Sequence, residues 1–357
     1  MNAGPPLARR RTLAGAAALL AVAGGALVTA GAGRGGPGSG PPSAPPGASS
    51  PLAAAGDADR TRRSARDEWQ PLAPATLERT EVAAARIGRF VYVVGGFERR
   101  SRLSTAALER YDIRRDRWKR LRSMPIAVNH PTAAAYRGRL YVHGGYRARG
   151  DLSSASKRLY AYQPGANRWR RLPDSRTERA AHALAVLGGR LYAAGGAGET
   201  GGLRSMEIYD FGRRRWSRGP ALRGPARDHM TGVAAGGYFY ALAGRNAGTN
   251  YRTAERYDPR RRRWALLPPM SKARGGIASA AVSRGRVVVF GGEEPAGTIR
   301  EVELYDPRRR SWSALPDMRT PRHGLGGVSL GDRVYAIEGG PQPGFHFART
   351  IEFLDVR

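Results

Sequence analysis

Short apolar runs punctuate this chain at nearly constant intervals. FVYVV at 90–94, LYV at 140–142 and VVVF at 287–290 are β-branched and aromatic, the residue types that suit a pleated, half-buried strand. The runs end on paired glycines: Gly95 and Gly96, Gly144 and Gly145, Gly195 and Gly196, Gly291 and Gly292, Gly339 and Gly340, with Ala243 and Gly244 filling the remaining place. Successive pairs are 49, 51, 48, 48 and 48 residues apart. A glycine pair at a strand end lets the backbone turn with positive φ and lets neighbouring sheets approach closely. Runs of small residues, VAAA at 82–85, TAAA at 132–135 and IASAA at 277–281, come just before the apolar ones. They predict a strand in a crowded place, near an axis on which several sheets converge.

Two further marks keep the same period. Tyr-Asp recurs at Tyr111, Tyr209, Tyr257 and Tyr305, each with a glutamate two residues earlier: Glu109, Glu207, Glu255 and Glu303. The second copy departs, with Tyr160, Tyr162 and Gln163 in those places, and the last reads Glu352, Leu354, Asp355. Seven residues after the tyrosine position comes a tryptophan: Trp118, Trp169, Trp216, Trp264 and Trp312. Tyr-Asp followed by polar residues is a turn signal, and Tyr and Trp are large side chains with a polar tip, suited to packing between sheets. Joint spacing of the glycine pair, Glu-x-Tyr-Asp and Trp resembles the kelch repeat over about residues 67–357. The resemblance implies an all-β, six-bladed kelch-type β-propeller with one four-stranded blade per copy. Trp69 has no repeat before it, and the last copy carries no tryptophan after Asp355. The reading is therefore a ring closed by an N-terminal outer strand around Trp69 pairing with the C-terminal strand.

Composition changes the picture at the N-terminus. Arg9 to Arg11 precede a weakly apolar run at 13–32 that ends on AGA at 30–32. This predicts a signal peptide, of twin-arginine or general secretory type, or a retained membrane anchor that tethers the protein through residues 13–32. Residues 33–66 are rich in Gly, Pro, Ser and Ala with a charged end, and predict a disordered linker. The chain is thus expected to be exported: secreted, periplasmic or bound to the cell envelope, like a bacterial exported kelch repeat-containing protein. Of 60 basic residues only Lys119, Lys157 and Lys272 are lysines, and the net charge is +31. The arginines are spread along the whole chain, which favours the codon bias of a GC-rich genome over an anion-binding surface. There are no cysteines, so disulfides, thiolate metal sites and thiol nucleophiles are excluded.

In an antiparallel blade the loops fall on two faces. One face carries the arginine-rich turns 113–117, 212–216, 259–264 and 307–312, a candidate cationic surface anchor. The other carries the longer, more variable loops, where binding usually resides. Just before each innermost strand one position stands out: Arg79, Asn129, Arg179, Arg227, Arg274 and Arg322. His130, His182, His229 and His323 lie within three residues of four of them. These ten residues are the candidate ligand-binding set, at one mouth of the central channel, able to grip carboxylate, sulfate or sugar hydroxyls. The other account, supported by arginine recurring in five of the six copies, makes the arginines repeat residues that brace neighbouring blades. Glu81, Glu178 and Asp228 lie near the same mouth and leave room for an acid/base pair. Glu338 is a charge at the end of an apolar strand and is expected to face the channel or an arginine.

No nucleophile–base motif is legible, and with the histidines isolated in sequence neither a metal nor a cofactor is expected. The main expectation is a monomeric binding protein whose partner is a protein or an anionic or sugar-bearing polymer of the cell envelope. Nucleic acid is not the expected partner. A sugar epimerase or mutarotase of the kelch-propeller type is the alternative, and a cationic surface-anchoring module a further one. Copper-radical oxidases of this fold need a cysteine crosslinked to tyrosine, which this chain lacks.

Overall fold

The computed structural model describes residues 68–147, 150 and 152–356. The readings made for residues 1–66 fall outside the described residues. Every strand pair is antiparallel, and four sheets have the same four-stranded plan. The first is Ala83–Ile87, Phe90–Val94, Leu108–Asp112 and Arg117–Leu121; the second is Thr132–Tyr136, Arg139–His143, Leu159–Gln163 and Arg168–Leu172. The third is Ala183–Leu187, Arg190–Ala194, Met206–Asp210 and Arg215–Gly219; the fourth is Thr231–Ala235, Tyr238–Leu242, Ala254–Asp258 and Arg263–Leu266. A fifth sheet, Gly275–Ala281, Val287–Glu294, Val302–Asp306 and Ser311–Leu315, adds Gly297–Thr298 on Val287–Glu294 and so has five strands.

Six equal blades closed by one pair of end strands is not what forms. Five sheets have the blade form, and a separate sheet of seven strands stands in place of a sixth. It contains Gly326–Leu330, Arg333–Gly339 and Ala348–Asp355, together with four two-residue strands from the first part of the domain. The outer edge of Ala348–Asp355 is shared between two of them. Gln70 and Pro71 pair with Phe353 and Glu352, while Arg79 pairs with Ala348. Arg79–Thr80 then carries Phe97–Glu98, which carries Leu103–Ser104. Between these two pairings the Leu72 and Ala75 N–H groups donate to the Ile351 and Arg349 carbonyls, so the segment follows the edge of Ala348–Asp355 until Arg79 stands opposite Ala348. Trp69 itself is buried between the fifth sheet and this one, with Phe290 at 5.6 Å, and donates to the Pro316 carbonyl at 3.0 Å.

The repeat marks explain the packing. In each of the five blade sheets the tyrosine lies directly opposite the tryptophan, as in Tyr111 and Trp118 or Tyr257 and Trp264, with ring centroids 5.0 to 5.3 Å apart. Each tryptophan Nε1–H donates to a carbonyl of the preceding connection: Ala73, Arg122, Pro173, Pro220 and Pro268. The Asp after the tyrosine accepts from backbone N–H groups two or three residues on, as Asp258 does from Arg260 and Arg261, and fixes the turn. The innermost strands are small-residue strands that stand side by side around a common channel.

Candidate functional site

At one mouth of that channel the chain passes six times through the same backbone conformation. Glu81, His130, Ala181, His229, Gly276 and Gly324 all have φ between +49° and +68°. Hydrogen bonds join them into a circle: His130 N–H to Glu81 O, Ala181 N–H to His130 O, Met230 N–H to Ala181 O, Gly276 N–H to His229 O, Gly324 N–H to Gly276 O and Val82 N–H to Gly324 O. Left-handed backbone costs a residue with a side chain of order 1 kcal/mol, and glycine little. Three of the six positions nonetheless hold Glu or His, and all six line one cavity of about 140 Å³.

The polar half of the circle forms a closed network. Glu81 Oε2 lies 3.0 Å from His130 Nε2, which lies 3.0 Å from His229 Nε2. Arg245 Nη2 donates to that same His229 nitrogen at 2.8 Å, and Arg245 Nη1 donates to Glu293 at 2.6 Å. Glu293 lies 3.5 Å from His323 Nδ1, which returns to Glu81 Oε1 at 3.2 Å. Asp228 bonds His229 Nδ1 from outside the circle, and Asn129 bonds His130 Nδ1 at 2.6 Å. Gly324 is required for this: a Cβ there would sit 2.6 Å from the Glu81 carboxyl carbon. Below the rim the cavity wall presents the hydroxyls of Thr132, Thr231 and Ser279 among alanines and glycines.

Electrostatics divide the network into acids and bases. Burial alone would raise the Glu81 carboxyl, but His130 and His323 beside it hold it well below the usual range. Burial pushes His130 down to about 3, against the pull of Glu81. His323 goes the other way: burial opposes its charge, and hydrogen bonding and attraction from Glu81 outweigh it. Asp228 is lowered, with burial overcome by His229 and Arg245.

Glu81 Oε2, His130 Nε2 and His229 Nε2 lie within 4.8 Å of one another, the donor set of a two-histidine, one-carboxylate metal site. The Arg245 guanidinium already occupies the outer lone pair of His229 and places a fixed positive charge against any cation. His130 Nε2, 3.0 Å from both Glu81 Oε2 and His229 Nε2, fits a shared proton better than a metal ion.

A family profile described as the KLHDC2/KLHL20/DRC7 Kelch-repeats domain matches residues 81–276, more than half of the chain's 357 residues, and a Kelch motif profile matches 278–319. The chain belongs to the Kelch-repeats domain family. Over 76 residues it is 40% identical to Kelch-like protein 26 of Mus musculus, a stretch of 21% of this chain and only 12% of that relative's length. Among solved structures it is similar to the one titled "Structure of YjhT", with TM-score 0.69 at 16% identity, covering 80% of this chain and 97% of that one. At that identity the likeness shows the fold.

Against this Kelch frame the ten sequence candidates separate. Arg79, Arg179, Arg227, Arg274 and Arg322 are fully buried and do not line the cavity. Each forms an ion pair at 2.8 to 3.2 Å with the glutamate of a Glu-x-Tyr-Asp mark or its last-copy equivalent: Glu109, Glu207, Glu255, Glu303 and Glu352. Asn129 is not the second member of the arginine series. Gly96 N–H donates to Val128 O as Gly145 N–H does to Arg179 O, so Val128 holds the arginine position. Its copy has Tyr160 where the others have glutamate, and both residues lie in one apolar cluster. The Kelch copy without the arginine is the copy without the acid.

His130, His182 and His229 line the cavity, and His323 stands one residue outside it. His182 points away from the polar network to Thr132 at 2.7 Å and to buried His143 at 3.0 Å. Of the three nearby acids, Glu81 and Asp228 join the cluster and Glu178 does not. Glu338 meets an arginine, Arg79, at 2.8 Å. Its φ of +54° shows that Glu338 and Gly339, not Gly339 and Gly340, occupy the glycine-pair position of the last copy. Arg245 and Glu293 were legible only as members of long loops. Comparing the residue two places after each arginine would have exposed the circle and its uneven chemistry.

Proposed function

We propose that this chain binds a small, hydroxyl-rich, anionic ligand of the sugar-acid class at the channel mouth and exchanges protons with it, as a mutarotase or epimerase does. The observation that carries this reading is asymmetry. Six equivalent backbone positions surround the mouth; Glu81, His130 and His229 fill one part with acid/base groups, while Ala181, Gly276 and Gly324 leave the rest open. A repeat residue kept only for packing has no cause to differ so sharply among copies.

Ring opening of a hemiacetal needs a proton taken from the anomeric hydroxyl and another given to the ring oxygen as the carbon–ring-oxygen bond breaks. Reclosure on the other face of the carbonyl reverses both transfers. His229, oriented through Nδ1 by Asp228, takes the first proton once the ligand's carboxylate draws Arg245 off its Nε2, and His323, whose protonated form Glu81 favours, supplies the second through Glu81. Such paired transfer contributes ~10²–10⁴-fold in rate. Arg245, partly exposed, offers the ligand's carboxylate a charged donor.

Anomer interconversion of a panel of sugar acids and neutral hexoses, followed by NMR exchange spectroscopy, tests this. At least one sugar acid should interconvert faster with catalytic amounts of the protein than in buffer. A panel with no acceleration, at concentrations where binding is detected, would leave a binding site without the chemistry.

A further inference from the structure

The second copy's departure from Tyr-Asp has a consequence on the opposite face of the domain. In the first, third and last copies the aspartate at this place takes an arginine: Asp112 with Arg89 at 3.2 Å, Asp210 with Arg190 at 3.4 Å, Asp355 with Arg333 at 2.7 Å. In the second copy the residue is Gln163, next to Arg168 and, by the strand register, opposite Arg139. A groove of about 340 Å³ opens there between the second sheet and the third, lined by Arg137, Arg139, Arg168, Arg170 and Arg214 with no carboxylate. All five arginines are exposed, and none has an ion-pair partner among the described residues. Its floor is aromatic, with Tyr136 stacked on Phe211 at 4.4 Å.

A second groove of about 290 Å³ follows on the other side of the third sheet. It presents Arg213, Arg215, Arg218 and Arg262, and its single acid, Asp210, is already held by Arg190. The turn from Phe211 to Arg215 separates the two grooves and contributes arginines to both. Positive charge of this density without neutralising acid needs anions, and the planar guanidinium matches phosphate oxygens in pairs.

We propose that these two grooves form a track for a linear phosphate polymer, crossing the third sheet on the face opposite the channel mouth. Loss of the repeat's aspartate at Gln163 is what leaves the first groove free of acid. The track is separate from the proton-transfer site and stands or falls without it.

The test uses the full chain and linear polyphosphate, with inorganic phosphate as the monomer control, at a series of salt concentrations. Polyphosphate should bind far more tightly than the monomer, with affinity falling steeply as salt rises. Arg139→Gln/Arg170→Gln/Arg214→Gln should weaken binding at least tenfold and reduce the slope of log affinity against log salt by about 2. Gln163→Asp, which restores the residue other copies carry, should weaken it by a smaller factor with the thermal midpoint unchanged. A control, Arg300→Gln/Arg319→Gln/Arg349→Gln, removes three exposed arginines elsewhere and should shift affinity less than threefold. Equal losses in the two triple variants would overturn the track and leave net charge as the cause. Failure of polyphosphate to bind at low salt would overturn it outright. Tighter binding of single-stranded DNA of equal charge would replace the phosphate polymer by nucleic acid and refute the proposal as stated.

Discussion

The second Kelch copy offers a designed experiment on the other four regular ones. Arg227 and Glu255 are both fully buried and 3.0 Å apart. Arg227 also donates to the carbonyls of Ala243 and Pro225, and Glu255 also accepts from the N–H groups of Arg223 and Gly224. Removing the arginine alone strands a buried carboxylate, and breaking such a pair costs ~3–5 kcal/mol. With about 290 residues folded and ~2.1 cal/mol/K of unfolding entropy per residue, that is a fall of about 5–8 °C in Tm. Replacing both partners by the apolar pair of the second copy, Arg227→Val/Glu255→Tyr, removes the stranded charge. The double variant should recover all but about 1–2 kcal/mol, the remainder reflecting the acceptor lost by Arg223 and Gly224. Urea unfolding followed by tryptophan fluorescence, with calorimetry beside it, gives the cycle. A cost below ~1 kcal/mol for Arg227→Val, or a double variant no better than the single one, would refute the bracing role. Loss of anionic-ligand binding with stability intact would return the arginine to the site.

Two further expectations concern the packing of the last sheet against its neighbours. Burial raises the Glu338 carboxyl to about 7, with Arg79 drawing it down and Glu109 pushing it up, because one guanidinium cannot neutralise two buried carboxylates. Between about 4.5 and about 7 the folded state then holds a proton the unfolded chain has released, so stability falls as pH rises through that window. Glu338→Gln should gain on the wild type by about 3 kcal/mol across it; a difference in Tm that stays flat from pH 5 to pH 8 would contradict the assignment. Trp69→Ala should cost ~3–5 kcal/mol, as loss of a buried indole does, measured by urea unfolding, and Trp69→Phe much less; equal small effects would place Trp69 outside the core.

The fold was legible where one residue type serves every copy. Paired glycines, Tyr and Trp mark strand ends and cross-strand partners, and their spacing placed the five blade sheets. The seven-stranded sheet was not legible, because strands of two residues such as Gln70–Pro71 and Arg79–Thr80 carry no alternation to read. The arginines before the innermost strands recur, and recurrence is the signature of a brace: their partners, the glutamates before Tyr-Asp, recur with them. A one-residue offset hid Val128 behind Asn129, and with it the joint loss of arginine and acid. The polar network escaped because its members come from different copies, as far apart as Glu81 and His323. Only the circle of left-handed residues brings them together, and that circle is a property of backbone conformation.

The measurement that bears most directly on the proton-transfer site is the anomer-exchange rate of the best sugar acid with wild type, Glu81→Gln and His229→Asn, each checked for an unchanged thermal midpoint. Glu81→Gln keeps the size of its side chain and His229→Asn keeps a donor toward Asp228, and each removes one proton-carrying atom. A drop of ~10²-fold or more in both, with the ligand still bound, is the result predicted here. Folded variants that interconvert the sugar as fast as the wild type would contradict it and move the chemistry away from the channel mouth.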